Sequence, residues 1–88
     1  MTRDIPASIR REAQSREFQP SIRVGKSGIT ENLIEEINAQ LSKRTLVKLK
    51  INRGLFERKD IDDVWAHLAK ETSSIVVVAR GNVGVLWR

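Results

Sequence analysis

The sequence predicts an α/β domain in the order α-β-α-β-α-β-β, with a four-stranded mixed sheet. Three observations carry that prediction. Residues 46–51 alternate strictly, with Val47, Leu49 and Ile51 on one face and Lys48 and Lys50 on the other; this is the pattern of a strand with one dry and one basic side. Two stretches repeat apolar residues at helical spacing: Leu33, Ile34, Ile37 and Leu41, then Ile61, Val64, Trp65, Leu68 and Ala69. Last, two apolar runs, 75–80 and 83–88, flank Gly81-Asn82, and glycine in first place suits a type II′ hairpin.

The first twenty residues are polar and arginine-rich. Ile5, Ile9 and Ala13 recur every four residues, which predicts a short helix with a loosely held start over residues 1–8. Asp4 is its candidate cap, Pro6 is tolerable in its first turn, and Phe18 and Pro20 end it. Ser21 to Val24 alternates, with Ile22 and Val24 inward and Arg23 outward, and reads as the first strand. Thr30 is a good N-cap for a helix beginning near Glu31, with Ile29 and Ile34 spaced as a hydrophobic staple. Its acidic start and its basic end at Lys43 and Arg44 suit the helix dipole. After the strand at 46–51, Asn52-Arg53-Gly54 closes the turn and a loop runs through Phe56 to Arg58 and Lys59. Asp60 is the expected cap of the third helix. Trp65, in register with four aliphatics, belongs in the core, and His67 lies off that stripe. In the hairpin, plain alternation puts Val76, Val78, Val85 and Trp87 on one face and Ile75, Val77, Ala79 and Leu86 on the other. Both faces are apolar, so both need cover. Two helices on one side and the N-terminal helix on the other would supply it.

One stretch joins the first strand to its helix: Val24-Gly25-Lys26-Ser27-Gly28-Ile29-Thr30. Glycines three apart allow a sharp turn and close approach by another backbone. Lys26 is a phosphate-seeking cation, Ser27 a small hydroxyl donor, and the helix N-terminus that follows favours an anion. Gly25-Lys26-Ser27 also matches the end of a nucleotide-binding loop, but that motif needs glycine at position 20, which is Pro20. Nucleotide hydrolysis is thereby set aside. By itself G-x-x-G is equally compatible with a plain structural turn.

Charge points the same way. The 88 residues make one domain in which sixteen Lys and Arg face eleven Asp and Glu, a net charge of +5, with a pI near 10.2. Such an excess suits a polyanionic partner. Without cysteine there is neither a disulfide framework nor a thiolate metal site. No run approaches a membrane span, and the expectation is a cytoplasmic protein with no cofactor, no membrane partner and no small-molecule substrate. Parallel strands joined through right-handed crossovers end at one edge of the sheet, where open α/β folds bind ligands. That edge would gather Lys26, Arg53, Arg58, Lys59 and Arg80 around the glycine loop.

With that order and loop, the chain resembles a CRM domain (chloroplast RNA splicing and ribosome maturation) in its stand-alone, YhbY-like form. The resemblance rests on Pro20 through Glu31, on Leu-Val-Lys-Leu-Lys-Ile at 46–51, on Glu71-Thr72 closing the third helix, and on the hairpin ending Trp87-Arg88. It covers about residues 9–88 and departs in a first helix less apolar than the family pattern. It implies a fold similar to the C-terminal domain of bacterial translation initiation factor three, and a glycine loop comparable to that of KH domains, which clamp a nucleotide backbone. It also implies RNA binding, with stand-alone members associated with precursors of the large ribosomal subunit. Carried over residue by residue, Gly25, Lys26, Ser27 and Gly28 are the loop. Arg23, Lys48 and Lys50 enter as candidates from strand alternation alone.

The expected function is therefore non-enzymatic binding of ribosomal RNA during large-subunit assembly, in association with the ribosome. Few aromatics are free to stack, so affinity should be mainly electrostatic. A small basic DNA-coating protein and a protein-binding adaptor are the alternatives. One histidine, no cysteine and no apparent carboxylate pair leave little for acid–base catalysis.

Overall fold

The computed structural model describes residues 5–88, and the element order is the expected one: α1 (Ala7–Ala13), β1 (Ile22–Val24), α2 (Glu31–Lys43), β2 (Leu46–Ile51), α3 (Arg58–Glu71), β3 (Ile75–Arg80) and β4 (Val83–Trp87). The proposed cap Asp4 lies outside the described residues. Within them, α1 starts after Pro6 and stops at Ala13, short of Phe18. Ser21 is not part of β1, although its N–H still donates to the Lys48 carbonyl at 3.0 Å.

The sheet order is β1-β2-β4-β3. β1 and β2 are parallel, with Val24 opposite Ile51. β4 runs antiparallel to both β2 and β3. Thus β2 and β3 do point the same way, but β4 lies between them, and alternation along a strand carries no information on which strand is its neighbour.

Two layers cover the sheet. On one side α2 and α3 enclose Val24, Ile37, Leu49, Ile51, Trp65 and Leu68 with Leu86. On the other, Ala13 of α1 packs with Leu46 and Val85, joined by Ile9, Phe18 and Trp87. Plain alternation fails in the hairpin. The register slips between Val76 and Val78, so Val76 pairs with Leu86 and Val78 with Val85. Val76 and Leu86 consequently share the α2–α3 face, while Val77, Val78, Val85 and Trp87 share the α1 face. The extra residue is a β-bulge, which opposes two residues of one strand to one of the next.

Helix ends follow local chemistry. The Thr30 hydroxyl accepts from the Leu33 N–H at 3.1 Å, the expected cap, and Ile29 and Ile34 both pack on the core. α3 begins earlier than expected. Glu57 occupies the N-cap position, without a side-chain bond, and Asp60 lies in the first turn, its N–H donating to the Glu57 carbonyl at 2.9 Å. Leu55 and Phe56 pack against the core and fix the chain just before this point, so Arg58 and Lys59 belong to the helix rather than to the loop. At the other end Ser73 takes the left-handed conformation (φ 52°), with Ser74 N–H to Ala69 O at 2.8 Å and Ser73 N–H to Lys70 O at 3.3 Å. That is a Schellman stop with serine where glycine is usual. Gly81 has φ 54° and Asn82 does not have positive φ, as the type II′ turn requires. Among the described residues no helix is long and apolar enough to cross a membrane.

Candidate nucleic-acid interface

The glycine loop is one tight turn. The Gly28 N–H donates to the Gly25 carbonyl at 2.9 Å, which leaves Lys26 and Ser27 exposed at the tip, directly before the N-terminus of α2. The two glycines do different things. Gly28 sits at φ 69°, a conformation that side chains with a Cβ rarely adopt. Gly25 is not in that region, and a Cβ there would meet only the Asn52 side chain, at 3.8 Å. We expect Gly28→Ala to cost about 1–2 kcal/mol from the backbone alone, seen as about 4–8 °C per kcal/mol in thermal melting. Gly25→Ala should stay within about 0.5 kcal/mol of wild type. If both variants melted alike, the turn would not be set by Gly28.

Beside the loop, the ends of β1, β2 and β3 meet at one edge. Cross-strand pairing aligns Arg23 with Lys50, Lys50 with Val83, and Val83 with Arg80, one row across all four strands. Side chains in such a row share a face. The bulge matters here: without the extra residue, Arg80 would point to the α2–α3 side instead of standing beside Lys50 and Arg23. α1 covers the rest of this face, so the row is what remains open. Arg23, Lys50 and Arg80 are all exposed.

The edge folds into a cleft of about 940 Å³. Arg23, Lys50, Arg53 and Arg58 line it, against Asp62 as the single carboxylate. Among the described residues none of these four cations has an ion pair or a side-chain hydrogen bond. Four unpaired cations around one hollow repel each other, and an anion relieves that repulsion.

Other candidates stand apart. Lys48 is half-buried: its Nζ donates to the Phe18 carbonyl at 2.7 Å and lies 5.6 Å from the centre of the Phe18 ring. It ties the α1–β1 connection to the sheet. Lys59 pairs with Glu57 at 3.4 Å on the surface, an interaction of little energetic weight. Lys26, Ser27, Lys59 and Arg80 do not line the cleft. Asn52 and Asn82, which do, were not among the expected site residues. The only signal for them was their place beside Gly54 and Gly81 at the two turns.

Comparison with known proteins agrees with this architecture. The family model of the CRS1/YhbY (CRM) domain matches residues 2–88. A Methanocaldococcus jannaschii protein named "Probable RNA-binding protein MJ0652" is 33% identical over 76 residues, or 86% of this chain; the match spans only 56% of that protein's length. "Probable RNA-binding protein YqeI" of Bacillus subtilis is 32% identical over 76 residues, covering 86% of this chain and 77% of its own. The solution structure of SAV1595 from Staphylococcus aureus superposes with a TM-score of 0.73 at 28% identity, covering 97% of this chain and 88% of that one. A match along nearly the whole chain, on the same three helices and mixed sheet, places the chain in the CRS1/YhbY (CRM) domain family.

Proposed function

We propose that this domain is a non-enzymatic RNA-binding protein that engages ribosomal RNA during assembly of the large subunit, in the cytoplasm. The observation that carries the reading is the convergence, at one sheet edge, of an exposed Lys26-Ser27 turn with four cations that form no ion pair among the described residues. A phosphate on the turn would meet Lys26, backbone N–H groups and the positive end of the α2 dipole. The cleft cations extend the track. RNA is favoured over duplex DNA by the two relatives, both named as probable RNA-binding proteins, and by the likeness of the loop to the KH clamp. The ribosomal target follows the resemblance to stand-alone CRM proteins. A protein adaptor would not need an anion seat beside a helix N-terminus.

Salt titration tests the reading. Log K for a single-stranded RNA should fall linearly with log[salt], by about 0.7 per phosphate contact. Lys26→Ala should make that slope shallower by about one contact and weaken all sequences similarly. An affinity indifferent to salt would overturn the proposal, and stronger binding to duplex DNA than to structured RNA would favour the chromatin alternative.

A further inference from the structure

The cleft has a second character beside its charge. Ile51 and Ile61 lie buried beneath it, while Phe56 and Val83 line it half-buried. Asn52 and Asn82 also line it, and neither makes a side-chain hydrogen bond among the described residues. A track for phosphates alone has no use for an apolar floor or for free amides. An apolar floor, a few free polar groups and this volume suit a site that encloses an organic ligand. Four cations require that ligand to be anionic. A nucleotide combines these properties: apolar base faces, a donor–acceptor edge that carboxamides can pair, and phosphates.

We infer that the cleft seats an unpaired nucleotide of the bound RNA, its base over Phe56 and between Asn52 and Asn82, its flanking phosphates on Arg23, Lys50, Arg53 and Arg58. The inference rests on the RNA-binding reading and names the class of RNA: a strand with an extruded nucleotide, as in a bulge or loop, rather than an unbroken duplex. Asn52 supplies the continuity. Its N–H donates to the Val24 carbonyl at 2.9 Å, and its side-chain Nδ2 lies 3.8 Å from where a Cβ on Gly25 would stand. A strand with a phosphate on the glycine turn therefore reaches the cleft without a detour, which a free nucleotide would not need. The opposite wall is fixed too, because the Ile51 N–H donates to the Asn82 carbonyl at 2.7 Å and holds the hairpin turn against the end of β2.

Two RNA hairpins with the same stem, each closed by a non-nucleotide linker so that the loop offers no base, one carrying a single unpaired nucleotide within the stem, are titrated against the full chain by fluorescence anisotropy. Wild type should bind the bulged hairpin at least about tenfold tighter. Asn82→Ala, which removes a carboxamide beside the base and leaves the four cations in place, should shrink that preference to below about threefold. Lys26→Asp/Ser27→Asp should weaken both hairpins alike. Equal wild-type affinity for the two hairpins overturns the nucleotide seat and leaves the RNA-binding reading standing; failure to bind either overturns both. Displacement of the bulged hairpin by micromolar adenosine monophosphate, without any preference between hairpins, would give the cleft to free nucleotides instead.

Discussion

Replacing Trp65 with alanine should cost about 3–5 kcal/mol, the largest loss expected of any single substitution in this domain. For a chain of this size that approaches the whole stability. Trp65 is 1% exposed and stands at the centre of the larger core. Its ring lies flat against β4: a Cβ added to Gly84 would sit 2.8–2.9 Å from three of its ring atoms. The glycine is therefore the other half of the indole's seat. The indole N–H is buried without a partner among the described residues, so the ring is held by packing and not by a hydrogen bond. Trp65→Phe should accordingly lose far less than Trp65→Ala, since it keeps a ring over Gly84 and removes an unsatisfied donor. Chemical denaturation measures all three. An alanine variant as stable as wild type, with RNA binding abolished, would make Trp65 a stacking platform instead.

Lys26→Asp/Ser27→Asp should separate binding from folding. Both side chains stand on the exposed tip of the turn, and the Gly28–Gly25 hydrogen bond that closes it involves neither. Two carboxylates just before the N-terminus of α2 interact favourably with its dipole, so the melting temperature should hold within a few degrees. RNA affinity should fall at least about tenfold, or 1.4 kcal/mol, because negative charge would then occupy the proposed phosphate seat. Unchanged affinity with both proteins folded would make the loop a structural turn and transfer the RNA site to the Arg23 and Lys50 face.

Much of the fold was legible because its signals are local. The strict alternation of 46–51, the stripe ending at Leu41 and the Thr30 cap all appear where the residues put them. The glycine loop was equally legible as a turn, since Gly28 takes the positive φ that a G-x-x-G spacing suggests. The bulge was not. Ile75 through Val78 are all apolar, so slipping by one residue leaves the hydrophobic pattern unchanged and nothing in it fixes the register. The place of β4 was hidden for a related reason: β3 is the more aliphatic strand, yet it lies at the edge, and β4 is the better buried of the two. Nor does capping preference locate the start of α3: Asp60 is the better capping residue, yet the helix begins at Arg58, just after Leu55 and Phe56 pack on the core. At the site, sequence order found the cations of the cleft but not their setting. That Lys48 is spent on Phe18 while Lys50 stays open depends on where α1 lies, and no pattern within 46–51 reports it.

The interior position of β4 ties recognition to the folding pathway. Strand β2 gains its second neighbour only when β4, the last of the four to be made, slots in between β2 and β3. Its pairings with β2 close long loops, and such high contact order slows folding. Until then Arg23 and Lys50 belong to one half of the sheet and Arg80 to an isolated hairpin. An emerging chain would carry the glycine turn early and the aligned cations late. The row of cations proposed to track phosphates is thus completed only by the pairing of β2 with β4, whereas the glycine turn does not depend on it.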